Sequence, residues 1–291
     1  MTDDIYVGKD LGWREIATDE TAIRQYIDVA DDANDWYLQD SPFGGPVLPA
    51  TFLHFQAFNH NPGWFPSDIY GTLFARERWQ WCQPIMAGER IRSHAWISEI
   101  QRKGERWHIT CDVDVFNSRD EIALRTRTTQ TFLVDQGYRG MVRSKSSGAR
   151  KERRSDEPNV PEELQSLASL KKFVTVEMCA RFFSGTKNYH TDVKESEKMG
   201  FDDIVVGGPM SVCYIGQMLT RNLGPNLFVG SQLDIRFVDI LWPNNEIEVR
   251  GVRTSEPVAE LDRQRYPLRL QICDPTGRVT VVAEGSYVSR A

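Results

Sequence analysis

The chain has 291 residues, of which 40% are hydrophobic and 26% charged, with a formal net charge of -6; this is the balance of a soluble globular protein with a sizeable core, in one large domain or two ordinary ones. The acidic balance excludes the broad basic field that nucleic-acid binding needs, and no apolar run approaches the roughly 18 residues of a membrane span. Met1-Thr2-Asp3-Asp4 lacks a basic stretch followed by an apolar one, so the expectation is a cytoplasmic chain without membrane or nucleic-acid partners.

In chain order, Glu20 to Ala30 has the spacing of a helix and is followed by a polar turn carrying Asn34. Gly44-Gly45-Pro46-Val47-Leu48-Pro49-Ala50-Thr51-Phe52 then marks the entry to an apolar helix running to about Asn59. Period-two runs follow at Ile91 to Ile97, Trp107 to Phe116 and Leu124 to Val134, which predict half-buried antiparallel strands. Residues 137–165, rich in Ser, Gly, Pro and basic side chains, read as a linker. Beyond it the same order returns: a helical stretch from Val174 to Phe182, a turn carrying Asn188, and a Gly-Gly-Pro entry at Gly207-Gly208-Pro209 to an apolar helix ending near Leu219. Strands are then predicted at Leu233 to Phe237, Ile247 to Val252, Tyr266 to Ile272 and Val279 to Val288. A repeated order of elements is the sign of a duplicated unit, so the domains expected are residues 1–136 and 166–291 joined by the linker, each of class α+β.

The five cysteines, Cys82, Cys111, Cys179, Cys213 and Cys273, have no C-x-x-C spacing or nearby His, so no metal, cofactor or disulfide framework is indicated. Seven of the eight tryptophans fall in the first half, where they serve as core or line a wide pocket for a bulky acyl group.

One segment is more specific. Ser184-Gly185-Thr186-Lys187-Asn188-Tyr189-His190-Thr191-Asp192, then Gly200-Phe201, then Ile204-Val205-Val206-Gly207-Gly208-Pro209-Met210, resembles the signature of the MaoC-like acyl dehydratases and (R)-specific enoyl-thioester hydratases. That family reads roughly S-G-D-x-N-P-x-H-x-D, a short helix, G-F, then I-V-H-G-M. The resemblance is strong from about Phe182 to Leu241 and weak elsewhere. It implies a double hot-dog fold, in which two curved antiparallel sheets each wrap a central helix and join as a pseudo-dimer. It also implies hydration or dehydration of an acyl thioester carried on coenzyme A or phosphopantetheine, by a chain that can form homodimers.

Carried over residue by residue, His190 is the acid/base, Asn188 keeps the motif's Asn and with Thr186 orients water or substrate, and Gly208 N–H, at the start of the central helix, is the oxyanion donor. Such roles suit a group titrating near neutrality and a fixed donor in a dry site. Gly207 and Pro209, which flank that donor, are expected to contact the substrate. The motif's Asp is replaced by Thr186, and the stretch to His190 is one residue shorter. Thr186 holds a water by hydrogen bonding or is a turn residue. Asp192 with Glu195 reads as a capping box for the helix after it. In the first half, Asp32 and Asn34 keep motif positions, but Tyr37 stands in place of the His; with Pro49 and Phe52, Asp32 and Tyr37 are expected to shape the substrate cavity. His54, His60, His94 and His108 read as packed or surface residues.

Without the motif's Asp, two alternatives stay open beside the hydratase: an acyl-binding or partner subunit that has lost catalysis, and a hot-dog thioesterase. Thioesterases of this fold usually place a carboxylate in or beside the central helix, and Met210 to Leu219 contains none. The linker's Arg143, Lys145, Arg150, Lys151, Arg153 and Arg154 are either solvated or meet the carrier's phosphates.

Overall fold

A computed structural model describes residues 5–56, 64–65, 71–103, 106–133, 165–183, 187–260 and 262–290. The expected linker residues 137–164, His60 and Thr186 lie outside these.

The first unit opens with strand β1 (Asp10–Ile16) and helix α1 (Glu20–Ala30). The Asp19 side chain accepts a hydrogen bond from Ala22 N and starts α1, while Ile23, Tyr26, Val29 and Ala30 turn one face inward. The helix stops at Asp31, whose φ of 50° cannot continue it. A short α2 (Phe52–Gln56) follows, then β2 (Gly71–Trp81), β3 (Ile91–Lys103), β4 (Arg106–Phe116) and β5 (Ile122–Leu133). The second unit repeats the order with β6 (Leu170–Val174), α3 (Val176–Phe182), an added α4 (Val193–Lys198), α5 (Gly208–Leu223), β7 (Gln232–Phe237), β8 (Asn245–Arg253), a short β9 (Val258–Glu260), β10 (Arg263–Cys273) and β11 (Val279–Arg290).

The strands form one antiparallel sheet in the order β1-β3-β4-β5-β2-β7-β11-β10-β8-β6, with β9 paired to β10. Matching β1 with β6, β2 with β7, β3 with β8, β4 with β10 and β5 with β11 makes that order a palindrome about the β2/β7 seam. A palindromic strand order is the topological mark of a two-fold between the halves, and the arrangement is the double hot dog. The seam is short, running from Arg76↔Arg236 to Gln80↔Gln232. On its exposed face Asp234 accepts from Arg76 and Arg78 of the other half, with Arg76 Nε 2.6 Å and Arg78 Nε 2.7 Å away. Each such exposed pair adds at most about 1 kcal/mol.

α5 lies in the core that the strands close over, with Met210, Val212, Tyr214, Ile215, Met218 and Leu219 no more than 1% exposed. They share one cluster with Leu233, Ile235, Val249, Leu270, Ile272 and Val281 of the sheet. Full burial of each large aliphatic side chain contributes about 1.5–3 kcal/mol. The two central helices meet where Gly216 faces Thr51: a Cβ on Gly216 would stand 2.6 Å from Thr51 Cγ2. Thr51 cannot swing away freely, because its Oγ1 is hydrogen-bonded to Tyr26 Oη at 2.8 Å inside the core.

Several sequence expectations need correction. β1, β2, β6 and β9 are strands the periodicity did not mark. The described part of the first central helix begins at Phe52 rather than Pro49 and covers five residues. At α4, Asp192 Oδ1 accepts from Lys194 N and Glu195 N, but Asp192 N donates to Asn188 O and Glu195 pairs with Lys198, so the return half of the capping box does not form. Among the described residues no helix is long and apolar enough to cross a membrane.

Gly216→Ala tests the helix contact. Helix propensity alone would favour Ala by about 1 kcal/mol, whereas overpacking against Thr51 costs about 1–3 kcal/mol. The expected outcome in chemical denaturation is net destabilisation. In a Thr51→Ala background the same substitution should turn neutral or stabilising, a coupling that distant sites do not show.

Candidate active site

The turn that carries His190 is built by Asn188. Asn188 Oδ1 accepts from His190 N at 2.8 Å, and Asn188 O accepts from Thr191 N and Asp192 N, both at 3.0 Å. Asn188 therefore positions the histidine's backbone and does not line the cavity into which that ring opens. The His190 ring stacks on Phe183, with centroids 4.0 Å apart and planes at 18°, and Tyr189 packs at 4.0 Å. Tyr189 is itself tied across the seam by its Oη donating to Thr72 O at 2.7 Å.

His190 Nδ1 lies 2.7 Å from Val205 O. A carbonyl can only accept, so Nδ1 carries the proton and Nε2 presents its lone pair. Burial among the aromatic rings pushes the imidazole down to about 4, against the opposing pull of the Val205 carbonyl. The ring is thus neutral near pH 7 and held in the tautomer of a base.

α5 begins beside it. Its N-cap, Gly207, makes no side-chain cap; Pro209 has no N–H, and Met210 N donates to Gly207 O at 3.0 Å. Gly208 N–H is left at the positive end of the helix with no intrahelical partner. The glycines here are spatial requirements. A Cβ on Gly207 would fall 2.1 Å from Phe183 Cζ, and one on Gly208 would fall 2.9 Å from Phe74 Cβ and 3.0 Å from Phe237 Cε1. Phe74 precedes a bulge in β2, and Phe237 ends β7 just past the last paired residues of the seam. Their rings meet edge to face at 5.8 Å over Gly208.

His190, Gly208, Phe74 and Phe237 share a cavity of about 410 Å³, with His108 and Asp239 also in its wall. The volume is in the range of small-molecule sites. A larger hollow of about 580 Å³ lies along strand residues that include Arg78, Asp112, Arg127 and Asp234. Its arginines are already engaged, Arg127 by Asp112 at 2.6 Å and Arg78 by Asp234 at 2.7 Å, and it holds no histidine, so the chemistry points to the smaller cavity.

The other expected site residues lie elsewhere. Tyr37 Oη donates to Asp32 Oδ2 at 2.8 Å in a buried network near Lys172, and Gln217 Nε2 donates to the neighbouring Asp31 O at 3.1 Å. Gln217 is nine residues along α5 from Gly208, roughly 13 Å at the helical rise, so Asp32 and Tyr37 sit towards the opposite end of the helix from His190. Burial raises the Asp32 carboxyl. Pro49 and Phe52 line a separate crevice of about 20 Å³, too small for an acyl chain. No tryptophan lines the His190 cavity; Trp79 and Trp81 stack in the core 5.5 Å apart.

Among the minor histidines, His54 is buried with its Nε2 2.8 Å from Glu77, and His94 pairs with Asp10 at 2.9 Å. His108 departs from the packed-or-surface expectation by facing the cavity, with its pKa lowered by burial and by Lys103 and Arg106. Phe183 stacks on His190, and Phe74, Phe237, Val205 and Asp239 line its cavity, placements that sequence reasoning missed. Phe183 and Val205 had a signal, the one immediately before the motif and the other within its Ile204-Val205-Val206 stretch. Among the described residues no group of three His, Cys, Asp or Glu side chains converges on a metal position.

The structure is similar over nearly its whole length to a protein described as a MaoC-like dehydratase, with TM-score 0.73 and 15% identity over 97% of this chain and 98% of that one. A MaoC-like dehydratase from Phytophthora capsici gives TM-score 0.69 and 14% identity over 98% and 97% of the two chains. A conserved hypothetical protein of Mycobacterium tuberculosis described as a double hot dog gives 0.65 and 13% over 98% and 97%. An acyl-ACP thioesterase from Bacteroides thetaiotaomicron is more distant, at TM-score 0.52 and 11% identity over 95% and 97%. At these identities the likeness establishes the double hot-dog fold. No family model and no curated protein matches the sequence.

Nitrogen-15 NMR of histidine-labelled protein should place the His190 proton on Nδ1 at pH 7 and show no titration until about pH 4. Between the ordinary value of 6.5 and about 4 the unfolded chain binds a proton that the folded chain refuses, so His190's contribution to stability is lost as pH falls through that window. Gly207→Ala should displace Phe183 and return the titration towards the ordinary range.

Proposed function

We propose that this chain is a MaoC-like hydratase or dehydratase that adds water to, or removes it from, an acyl thioester carried on coenzyme A or a phosphopantetheine arm. One observation carries the reading: a neutral histidine whose Nε2 presents its lone pair shares a cavity with the N–H of Gly208, and among the described residues neither has a hydrogen-bond partner. The thioester oxygen, which gains negative charge in the enolate-like transition state, would rest on Gly208 N–H at the helix's positive end. In hydration His190 Nε2 takes a proton from water as the oxygen bonds to C3, then returns that proton to C2; in dehydration the same group removes the C2 proton and delivers it to the departing hydroxyl. Proton transfer by one positioned group balances in both directions.

A thioesterase is less well supported, since α5 (Gly208–Leu223) contains no Asp or Glu to act on a thioester carbonyl.

The test is turnover of a panel of enoyl- and 3-hydroxyacyl-thioesters, following double-bond absorbance and thiol release in parallel. Wild type should consume the double bond without releasing thiol, and His190→Ala should lower kcat on the order of a thousandfold. Thiol release would make the chain a thioesterase. Ligand binding without turnover in either protein would make it a binding subunit.

A further inference from the structure

A thioester on a phosphorylated arm enters its site with the arm towards solvent and the acyl chain towards the buried side, because only the apolar chain gains by leaving water. The His190 cavity has two such sides. Half-buried His108 and Val238, the latter 38% exposed, stand on its open side, and Ser211 and Val281, each 2% exposed, on its buried one. The way inward from Gly208 is occupied by Phe74. A Cβ on Gly208 would stand 2.9 Å from Phe74 Cβ and 3.0 Å from Phe74 Cγ, so that side chain lies against the start of α5.

The Phe74 ring is held from more than one side. Phe237 meets it edge to face, with centroids 5.8 Å apart. Against it also lies His54 of α2, its ring centroid 5.7 Å away, which is 2% exposed and does not line the cavity. His54 is itself fixed. Its Nε2 lies 2.8 Å from Glu77 Oε2, while Glu77 Oε1 accepts from Thr128 Oγ1 at 2.9 Å, and Trp79 packs 5.8 Å from the same imidazole. His54 and Glu77 form a buried pair that the proposed reaction does not use. Such a pair resists displacement, because parting it leaves a polar group unpaired in the core. Phe74 therefore separates the cavity from a fixed polar pair.

Resting on the hydratase reading, we propose that Phe74 is the inner stop of the acyl site and confines the substrate to thioesters of short acyl chains. A chain reaching past the stop has to drive the ring into His54, and a close-packed interior takes extra methylenes only by overpacking. Phe74 meets the far end of the acyl group rather than the reacting atoms. It sets which thioester is used and takes no part in proton transfer at His190 Nε2. The His54–Glu77 pair acts through Phe74, as its backing.

The experiment measures kcat/KM of wild type, Phe74→Leu and Phe74→Ala on crotonyl-, hexenoyl-, octenoyl- and decenoyl-CoA. Melting temperatures are taken alongside, and binding of the matching saturated acyl-CoAs is followed by calorimetry, which needs no turnover. In wild type each lengthening that passes the stop should lower kcat/KM about tenfold or more. Phe74→Ala should move that fall to longer chains, raising the octenoyl to crotonyl ratio of kcat/KM by about tenfold or more, and Phe74→Leu should move it less in the same direction. A ratio within one variant cancels any general loss of activity, and if Phe74→Ala does not fold, the shift in Phe74→Leu decides. The proposal is overturned if wild type uses decenoyl-CoA as well as crotonyl-CoA, or if the fall stays at the same length in the folded variants. If no enoyl-CoA is hydrated while saturated acyl-CoAs bind up to a length that the Phe74 variants extend, the hydratase reading fails and the stop stands. If none binds and none is hydrated, both fail.

Discussion

The five-residue seam between β2 and β7 is the constraint on which the rest of the molecule depends. Backbone pairing there turns two half-sheets into one and leaves neither with a free inner edge. It also ends early. Past Arg76↔Arg236 the strands no longer pair, a bulge turns β2, and the Phe74 and Phe237 rings fill the opening above Gly208. A longer seam would set backbone hydrogen bonds where the cavity now lies. The termination of pairing, as much as the pairing, makes room beside the helix N-terminus.

Within that room the electrostatics follow from packing. A protonated imidazole would be poorly solvated between Phe183 and Tyr189, so His190 stays neutral, and the Val205 carbonyl satisfies the one nitrogen that keeps its proton. The loss of a side chain at Gly207 and the presence of Phe183 are two aspects of one contact, because any Cβ at Gly207 would occupy the position of the phenyl ring. In the I-V-H-G-M pattern that this stretch resembles, Gly207 takes the His position, and a histidine there could not coexist with Phe183 as it stands. Its absence is thus matched by an aromatic surface for His190 to lie against.

The other end of α5 is built differently. Lys172 of β6 donates to Ala30 O and Asp31 O, at 3.1 and 2.6 Å, and Tyr37 donates to Asp32, so polar groups of the first half's motif region are satisfied by each other and by the second half. Among the described residues, buried Tyr214 Oη and Gln217 Oε1 have no hydrogen-bond partner, a desolvation cost of about 1–3 kcal/mol for each group left so. Two related segments placed at the two ends of one helix have therefore diverged, one opening into a cavity and one packing shut.

Much of this was legible in the sequence, for reasons tied to particular residues. The period-two run from Ile91 reads as a strand because alternation buries Ile91, Ser93, Ala95 and Ile97 and leaves Arg92, His94 and Trp96 half-buried on the other face. The largely apolar segment after Pro209 has helical spacing and reads as a buried helix, and the repeated order of elements implied two like halves. His190 was legible through its motif. β1, β2 and β6 were not, since they carry mixed or charged residues such as Arg14, Arg76, Arg78, Lys171 and Lys172 whose pairing is decided by partners far along the chain. For the same reason, local pattern could not place Asp239 and His108 in the wall of the His190 cavity, nor could it send Asp32 and Tyr37 to the far end of α5. Sequence alone determined which segments bury and with what period, because burial is a local property of side chains. Which buried segments end up facing one cavity was decided only by the seam's register and the close approach of the two central helices, because contacts between distant residues exist only once the chain has folded.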